Sequence, residues 1–168
     1  MQIRNEFTLE LPPQETYELL LDLERVTPCM PGASLGERRE DGSYAVNVKV
    51  KLGPMRFSYD GAVRIAEQDA AARRAVLQGS ANEAKGQGSA DAAITMQVEE
   101  APEGSRVTAT ADVDLTGRAA QMGHGVVESV TRQLIGQMTR CLSQRFVEGA
   151  GEPAAAAAPA APTPPANG

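Results

Sequence analysis

The sequence predicts an α+β fold in which a curved antiparallel β-sheet wraps around one long C-terminal α-helix. Between residues 3 and 115, several segments alternate apolar with polar residues, which is the pattern of half-buried strands. Residues 118–147 contain no proline and repeat apolar residues every three or four positions, which is typical of an amphipathic helix. The length of 168 residues and the 42% hydrophobic content are sufficient for one core.

The first elements are a strand and a short helix. The strand is predicted from three apolar residues that alternate with polar ones, Ile3, Phe7 and Leu9. Pro12 and Pro13 end this strand and open a helix at Gln14, because proline removes a ladder donor and suits a first helical turn. Residues 26–32 contain two prolines and a glycine and are predicted to form a rigid irregular loop or a short broken turn.

The clearest strand signal is the strict alternation of apolar residues from Tyr44 to Val50. The turn dipeptide Gly53-Pro54 joins it to a second alternating run over residues 55–65, so the two runs predict a hairpin. Further strands are predicted over residues 73–79, 92–98 and 107–115. Because their alternate positions are polar, we expect an antiparallel sheet with one covered face and one face in water.

The C-terminal helix is predicted over residues 118–147, with Thr116 as its N-cap. About thirty helical residues would be roughly 45 Å long. Because a domain of this size is roughly 40 Å across, such a helix must cross the whole sheet. Gly123 and Gly125 leave an alternative, in which the helix begins only at Val126. This order of elements is that of a helix-grip fold, and it predicts a hydrophobic cavity between the sheet and the helix.

The composition bounds the domain and its partners. Residues 1–148 are predicted to form the helix-grip domain, and residues 149–168, almost wholly Ala, Pro and Gly, a disordered tail. The net charge of −6 argues against nucleic acid or anionic lipid as the main partner, although it does not exclude a local basic patch. Cys29, Cys141 and the single His124 lack metal-ligand spacing, so no metal site is expected. With no apolar run after Met1, the sequence predicts a cytoplasmic protein with two reduced thiols.

No catalytic residue is predicted. Asp112 and Asp114 share the polar face of their strand and are expected to be solvated. His124 could transfer a proton, but no carboxylate is paired with it nearby in sequence, and an exposed side chain is expected. Cys29 is expected to be a small buried hydrophobe rather than a reactive thiol.

Four segments, in order, resemble blocks of the CoxG family of carbon monoxide dehydrogenase subunits: residues 23–32, 44–54, 86–90 and 117–123. The first ends in Cys29-Met30-Pro31-Gly32, and the second is a strand running into Gly53-Pro54. The family is similar to START lipid-transfer and birch-pollen-allergen-like domains of the helix-grip (SRPBCC) superfamily. The resemblance implies a non-enzymatic carrier of a hydrophobic small molecule, with a quinone as ligand and no covalently bound cofactor. It also implies that the protein serves or recruits a molybdenum-containing carbon monoxide dehydrogenase-type hydroxylase at the membrane, with peripheral contact at the inner membrane face.

The candidate site residues follow from the apolar faces of the predicted elements. Those expected to line the cavity are Val46, Val48, Phe57, Tyr59, Met96, Val113, Leu115, Met122, Val126 and Val130. Those expected to frame its mouth as a gate are Pro31, Gly32, Gly53, Pro54 and Gly123. Two other functions stay open: a ligand-free assembly or recruitment factor, and a small cyclase or hydrolase that uses the same cavity.

Overall fold

The structure, a computed structural model, describes residues 1–148; the predicted tail, residues 149–168, lies outside the described residues. The strands are β1 Gln2–Leu9, β2 Ala33–Arg38, β3 Tyr44–Leu52, β4 Met55–Asp69, β5 Arg74–Glu83, β6 Ser89–Ala101 and β7 Gly104–Leu115. The helices are α1 Pro13–Leu21, α2 Leu23–Val26 and α3 His124–Leu142, with 3-10 turns at Thr27–Cys29 and Gly117–Met122 and a π-helical turn at Ser143–Glu148.

The strands form one antiparallel sheet in the order β1-β7-β6-β5-β4-β3-β2. The α+β fold class and the antiparallel sheet are therefore confirmed, and each predicted strand is present. Their bounds are wider than predicted, except that the strand predicted from residue 73 begins at Arg74. Strand β2 is an addition that the sequence pattern does not predict. Its pairing with β3 is irregular between Leu35 and Arg38, and a bulged edge strand does not show the alternation by which strands are recognised.

The predicted single helix over residues 118–147 is wrong at its start. Residues 117–122 form a 3-10 turn, and Gly123, with φ of +86°, separates this turn from α3. A positive φ is incompatible with a right-handed helix, so α3 begins at His124 and runs for 19 residues, about 28 Å. The alternative start at Val126 is two residues late. Thr116 precedes the 3-10 turn, and its Oγ1 accepts a hydrogen bond from the Ser89 amide at 2.8 Å.

Helix α3 crosses the open side of the curved sheet. It packs against β1 at one edge and against β3 and the Thr27–Cys29 turn near the other, more extensively than against the central strands. Two apolar clusters anchor it. The Leu142 cluster includes Met138 and Leu142 of α3 together with Tyr17, Met96, Val98 and Val107. The Phe57 cluster comprises Leu52, Phe57, Tyr59 and Ala119, with Leu115, Met122, Val126 and Val130 packed on it.

The expectation of two reduced thiols is wrong, because the structure joins Cys29 and Cys141 in a disulfide. Their Cα atoms are 5.4 Å apart, although 112 residues separate them in sequence. The bond ties the Thr27–Cys29 turn to the last turn of α3. Cys29 is only 4% exposed, as expected of a buried hydrophobe, but it carries no free thiol. No local pattern reveals this contact, since it depends on where α3 lands on the turn.

Two of the segments that carry the family resemblance meet at Gly88 and Gly117. Both glycines have positive φ, +127° and +77°. The Thr116 amide donates to the Ser89 carbonyl at 2.9 Å, and the Arg118 amide donates to the Gln87 carbonyl at 3.1 Å. A Cβ added at Gly117 would lie 1.9 Å from the Gln87 carbonyl oxygen. The close backbone approach therefore requires glycine, and it fixes the path of the chain into α3.

Candidate ligand-binding cleft

The register of the sheet assigns one continuous face to the helix side. Residues directly opposite in antiparallel strands share a face. Tyr44 is opposite Val63, and Val63 is opposite Gly79. Gly79 is in turn opposite Ala92, and Ala92 is opposite Val113. This row lies on the same face as Phe57 and Leu115, which pack against α3.

We call the middle of this face the central cleft; its floor is formed by Val46, Val63, Gly79, Ala92, Ala111 and Val113. All six are half-buried, and none belongs to either apolar cluster. Glycine and alanine fill little space above the sheet, and α3 packs against the strands at the edges more than against these central strands. The floor is therefore apolar and only partly shielded from solvent.

The predicted lining residues fall in three places. Six of them lie together in the Phe57 cluster at one end of the cleft: Phe57, Tyr59, Leu115, Met122, Val126 and Val130. Val46 and Val113 lie on the floor, and Val48 is opposite Tyr59. Met96 is buried in the Leu142 cluster at the other end. The structure thus places nine of the ten at or beside one half of the cleft and the tenth in the far wall.

The predicted gate residues lie at two positions. A Cβ added at Gly53 would be 3.9 Å from the Met122 Sδ, so the Gly53-Pro54 turn lies beside the segment that leads into Gly123. Pro31 and Gly32 lie instead at the edge of the sheet, where the Lys49 amide donates to the Gly32 carbonyl at 2.8 Å. Gly123 is exposed, and no atom lies within 4 Å of its added Cβ.

Sequence reasoning missed an opening on the α1 side of the molecule. A cleft of about 650 Å³ lies between α1 and strands β3 and β4, with Tyr17, Leu21, Tyr44 and Ile65 among its apolar walls. Tyr44 is opposite Val63, so this opening adjoins the floor of the central cleft. Its position depends on how α1 packs on the sheet, which the local hydrophobic periods do not encode.

Glu83 is a buried acid that no pattern in the sequence singles out. It is 5% exposed and lies opposite Tyr59 in the register. Its carboxylate accepts hydrogen bonds from the backbone amides of Ser58 at 3.1 Å, Lys85 at 2.7 Å and Gln87 at 3.4 Å. The Ser58 amide is the largest cause that lowers the pKa of Glu83, ahead of the opposing effect of burial. The carboxylate is therefore ionised and occupied in holding the β5–β6 turn.

Tyr59 is 6% exposed and packs in the Phe57 cluster, with its ring 6.1 Å from that of Phe57. Within residues 1–148, its buried Oη has no hydrogen-bond partner. Burial, and secondly the negative charge of Glu83, raise the pKa of Tyr59. The phenol is therefore protonated at neutral pH and can donate a hydrogen bond from inside the apolar cluster.

The remaining polar candidates lie outside the cleft. The His124 side chain is 53% exposed, as expected, but its Nε2 lies 3.9 Å from the carboxylate of Glu128, four residues on. The expectation that no carboxylate is paired with it nearby in sequence is therefore wrong. Asp112 and Asp114 are exposed on the opposite face of the sheet. Among residues 1–148, no three His, Cys, Asp or Glu side chains are grouped to hold a metal ion. In the same range, no helix combines the length and apolar character needed to cross a membrane.

Solved structures with the same fold are numerous. A conserved protein from Geobacillus kaustophilus superposes with a TM-score of 0.76 at 17% identity, covering 89% of this chain and 97% of that one. The Zhui aromatase/cyclase from Streptomyces sp. R1128 gives 0.62 at 14% identity, covering 91% and 99%. Ara h 8.0201 gives 0.61 at 14% identity, covering 88% and 98%. These likenesses confirm the helix-grip fold.

The sequence itself matches one known family. No curated protein matches the chain. The CoxG family, described as a subunit of carbon monoxide dehydrogenase, matches residues 6–147, which is nearly all of the described range. The match includes all four segments that carry the resemblance. The chain belongs to the CoxG family of carbon monoxide dehydrogenase subunits.

Proposed function

We propose that the protein is a non-enzymatic carrier that holds a hydrophobic small molecule, a quinone, in the central cleft. The observation that carries this proposal is the floor of small apolar residues beneath a helix anchored at both ends. A planar apolar ring placed there would bury apolar surface, which stabilises binding by roughly 25 cal/mol per Å². Anchored clusters at both ends of α3 keep the cleft preformed, which lowers the entropy lost on binding.

The polar groups around the cleft favour binding over catalysis. Glu83 is the only buried carboxylate among the described residues, and its oxygens are satisfied by backbone amides. A general acid or base needs a free proton-transfer position close to substrate. A cyclase or hydrolase would therefore have to work without this carboxylate. The accessible apolar floor likewise favours a ligand-binding protein over a ligand-free assembly factor.

The proposed partner is a molybdenum-containing carbon monoxide dehydrogenase-type hydroxylase. Support comes from the family, which is named for a component of carbon monoxide dehydrogenase. A quinone is an electron acceptor that dissolves in the membrane, whereas the hydroxylase releases its electrons from within a protein. A carrier with an apolar cleft would bring the quinone from the membrane to the enzyme.

One end of the molecule is suited to peripheral contact with anionic lipid. Lys51 and Arg56 are opposite each other beside the Gly53-Pro54 turn, and both are exposed. Arg118 reaches Met55 of the same turn, with 3.6 Å between Nη2 and Sδ. We call this group, with the neighbouring exposed Lys49 and Lys85, the cationic end. Within the described chain, none of the five forms an ion pair. The positive charge is therefore available to phosphate groups, despite the net charge of −6.

Reversing the charge at this end is expected to reduce binding to anionic membranes. Each Lys or Arg near a lipid surface contributes about 1 kcal/mol, so Lys51→Glu with Arg56→Glu should weaken binding to phosphatidylglycerol vesicles at least about tenfold. Co-sedimentation at low and moderate salt measures it. The control is Arg38→Glu with Arg39→Glu, an equal charge change at the other end of β3. Equal loss in both double variants would show a net-charge effect only and contradict a cationic docking end.

Filling the central cleft tests the carrier function itself. Val113→Trp places a large ring on the floor, and we expect it to weaken binding of menadione about tenfold or more while the circular dichroism spectrum is unchanged. The measurement is equilibrium dialysis of the full chain with menadione. Thr110→Trp, on the opposite face of the same strand, is the control and should bind normally. Wild-type protein without affinity for menadione, or Val113→Trp with normal affinity, would contradict the proposal.

A further inference from the structure

The buried hydroxyl of Tyr59 is the feature that the fold does not explain. Tyr59 lies in the Phe57 cluster among Val126, Val130 and Met122 of the helical side. A buried hydroxyl without a partner destabilises a folded protein, whereas phenylalanine would fill the same space without that cost. Phe57, stacked beside it, fills its own position without a hydroxyl.

Groups on the neighbouring strands do not satisfy this hydroxyl. The carboxylate of Glu83, opposite on β5, is turned to the amides of Ser58, Lys85 and Gln87. Elsewhere in the cluster the side chains are aliphatic, aromatic or thioether, and these offer no strong acceptor. The Tyr59 Oη is therefore a hydrogen-bond donor without a partner among the described residues, and it lies inside the Phe57 cluster, which adjoins the central cleft.

We propose that Tyr59 donates a hydrogen bond to a carbonyl oxygen of the ligand and so selects acceptor-bearing rings over plain hydrocarbons. This inference rests on the proposed function, because it assigns a specificity-determining residue within the same cleft. The apolar floor supplies affinity for the ring, and the Tyr59 hydroxyl fixes the orientation of its polar edge. The ligand class is a planar apolar molecule with at least one carbonyl oxygen, which includes quinones.

The contrast with Tyr17 provides a matched control. Tyr17 is also buried, at 2% exposed, but its hydroxyl donates to the Arg74 carbonyl at 3.1 Å. Tyr17→Phe therefore removes a hydrogen bond of the protein, whereas Tyr59→Phe removes a hydroxyl without one. The two variants should therefore differ in stability without ligand. Tyr17→Phe should lower the melting temperature of the ligand-free protein, whereas Tyr59→Phe should leave it unchanged or raise it.

The test compares two ligands of the same carbon skeleton, menadione and 2-methylnaphthalene, of which only menadione has carbonyl oxygens. Equilibrium dialysis of the full chain measures both. We expect Tyr59→Phe to weaken menadione binding about three- to tenfold and to leave 2-methylnaphthalene binding within about twofold of wild type. Tyr17→Phe should not change the affinity for menadione relative to that for 2-methylnaphthalene.

Four results would overturn the inference. An equal loss of affinity for both ligands in Tyr59→Phe would show that the ring of Tyr59 packs on the ligand but its hydroxyl does not distinguish menadione from the hydrocarbon. Normal menadione affinity in the same variant would refute the hydrogen bond and leave the carrier function standing. A marked fall in the melting temperature of ligand-free Tyr59→Phe would show that the hydroxyl already has a protein partner. If wild-type protein binds neither ligand, the carrier function fails and the inference with it.

Discussion

Gly117→Ala is expected to lower the free energy of unfolding by about 3 kcal/mol, which is the typical combined cost of a strained backbone conformation and an overpacked side chain. The added Cβ would lie 1.9 Å from the Gln87 carbonyl oxygen and 2.8 Å from the Gly88 Cα. The residue also holds a φ of +77°, which alanine avoids. Both effects act on the segment that leads into α3, so the helix cannot keep its present path over the cleft. Urea unfolding followed by circular dichroism measures the change.

Gly42→Ala is the matched control for this substitution. Gly42 also has a positive φ, +88°, but no atom lies within 4 Å of its added Cβ. Alanine there should cost only about 1 kcal/mol, the backbone term alone. If Gly117→Ala were as mild as Gly42→Ala, the close packing of Gly117 on Gly88 would be contradicted.

Reduction of the Cys29–Cys141 disulfide is expected to lower the free energy of unfolding by roughly 2–4 kcal/mol. The bond closes a loop of 112 residues, and such a loop loses much entropy in the unfolded chain. For a domain of this size the melting temperature should fall by about 10 °C. Thermal unfolding with and without a phosphine reductant measures the shift, and mass spectrometry of alkylated protein counts free thiols.

The double variant Cys29→Ala with Cys141→Ala separates the disulfide from other effects of reductant. It should melt at about the temperature of the reduced wild type and should not respond to reductant. Protein purified without reductant that carries two alkylatable thiols, or a melting temperature that reductant does not change, would contradict the bond.

Features that are local in the sequence can be predicted. The alternation from Tyr44 to Val50 and the Gly53-Pro54 turn determine β3, β4 and their hairpin, because a period of two and a turn dipeptide act over a few residues. The order of strands and a C-terminal helix then leads to the helix-grip fold. The sequence also shows a scarcity of large residues, which appears in the structure as Gly79, Ala92 and Ala111 in the floor of the cleft.

Features that depend on tertiary contact cannot be predicted in the same way. The apolar pattern predicts a helix that continues through Gly123, because a glycine in a helical pattern costs only about 1 kcal/mol; its positive φ is visible only in the structure. The disulfide depends on where α3 meets the Thr27–Cys29 turn. In the sequence, Glu83 looks like any acidic residue at the end of a strand. Only the structure shows the three backbone amides that donate hydrogen bonds to its carboxylate. Likewise, alternation assigns Tyr59 to the cleft, but it does not reveal that the hydroxyl lacks a partner.

The carrier function is tested most directly by what the protein holds when it is purified from its own host. Native mass spectrometry of the intact protein, followed by organic extraction and chromatography, identifies any bound small molecule. We predict a co-purifying quinone at a substantial fraction of one equivalent, released on extraction and absent from the Val113→Trp variant. Protein that is free of any such ligand and has no affinity for added quinone would contradict the carrier function.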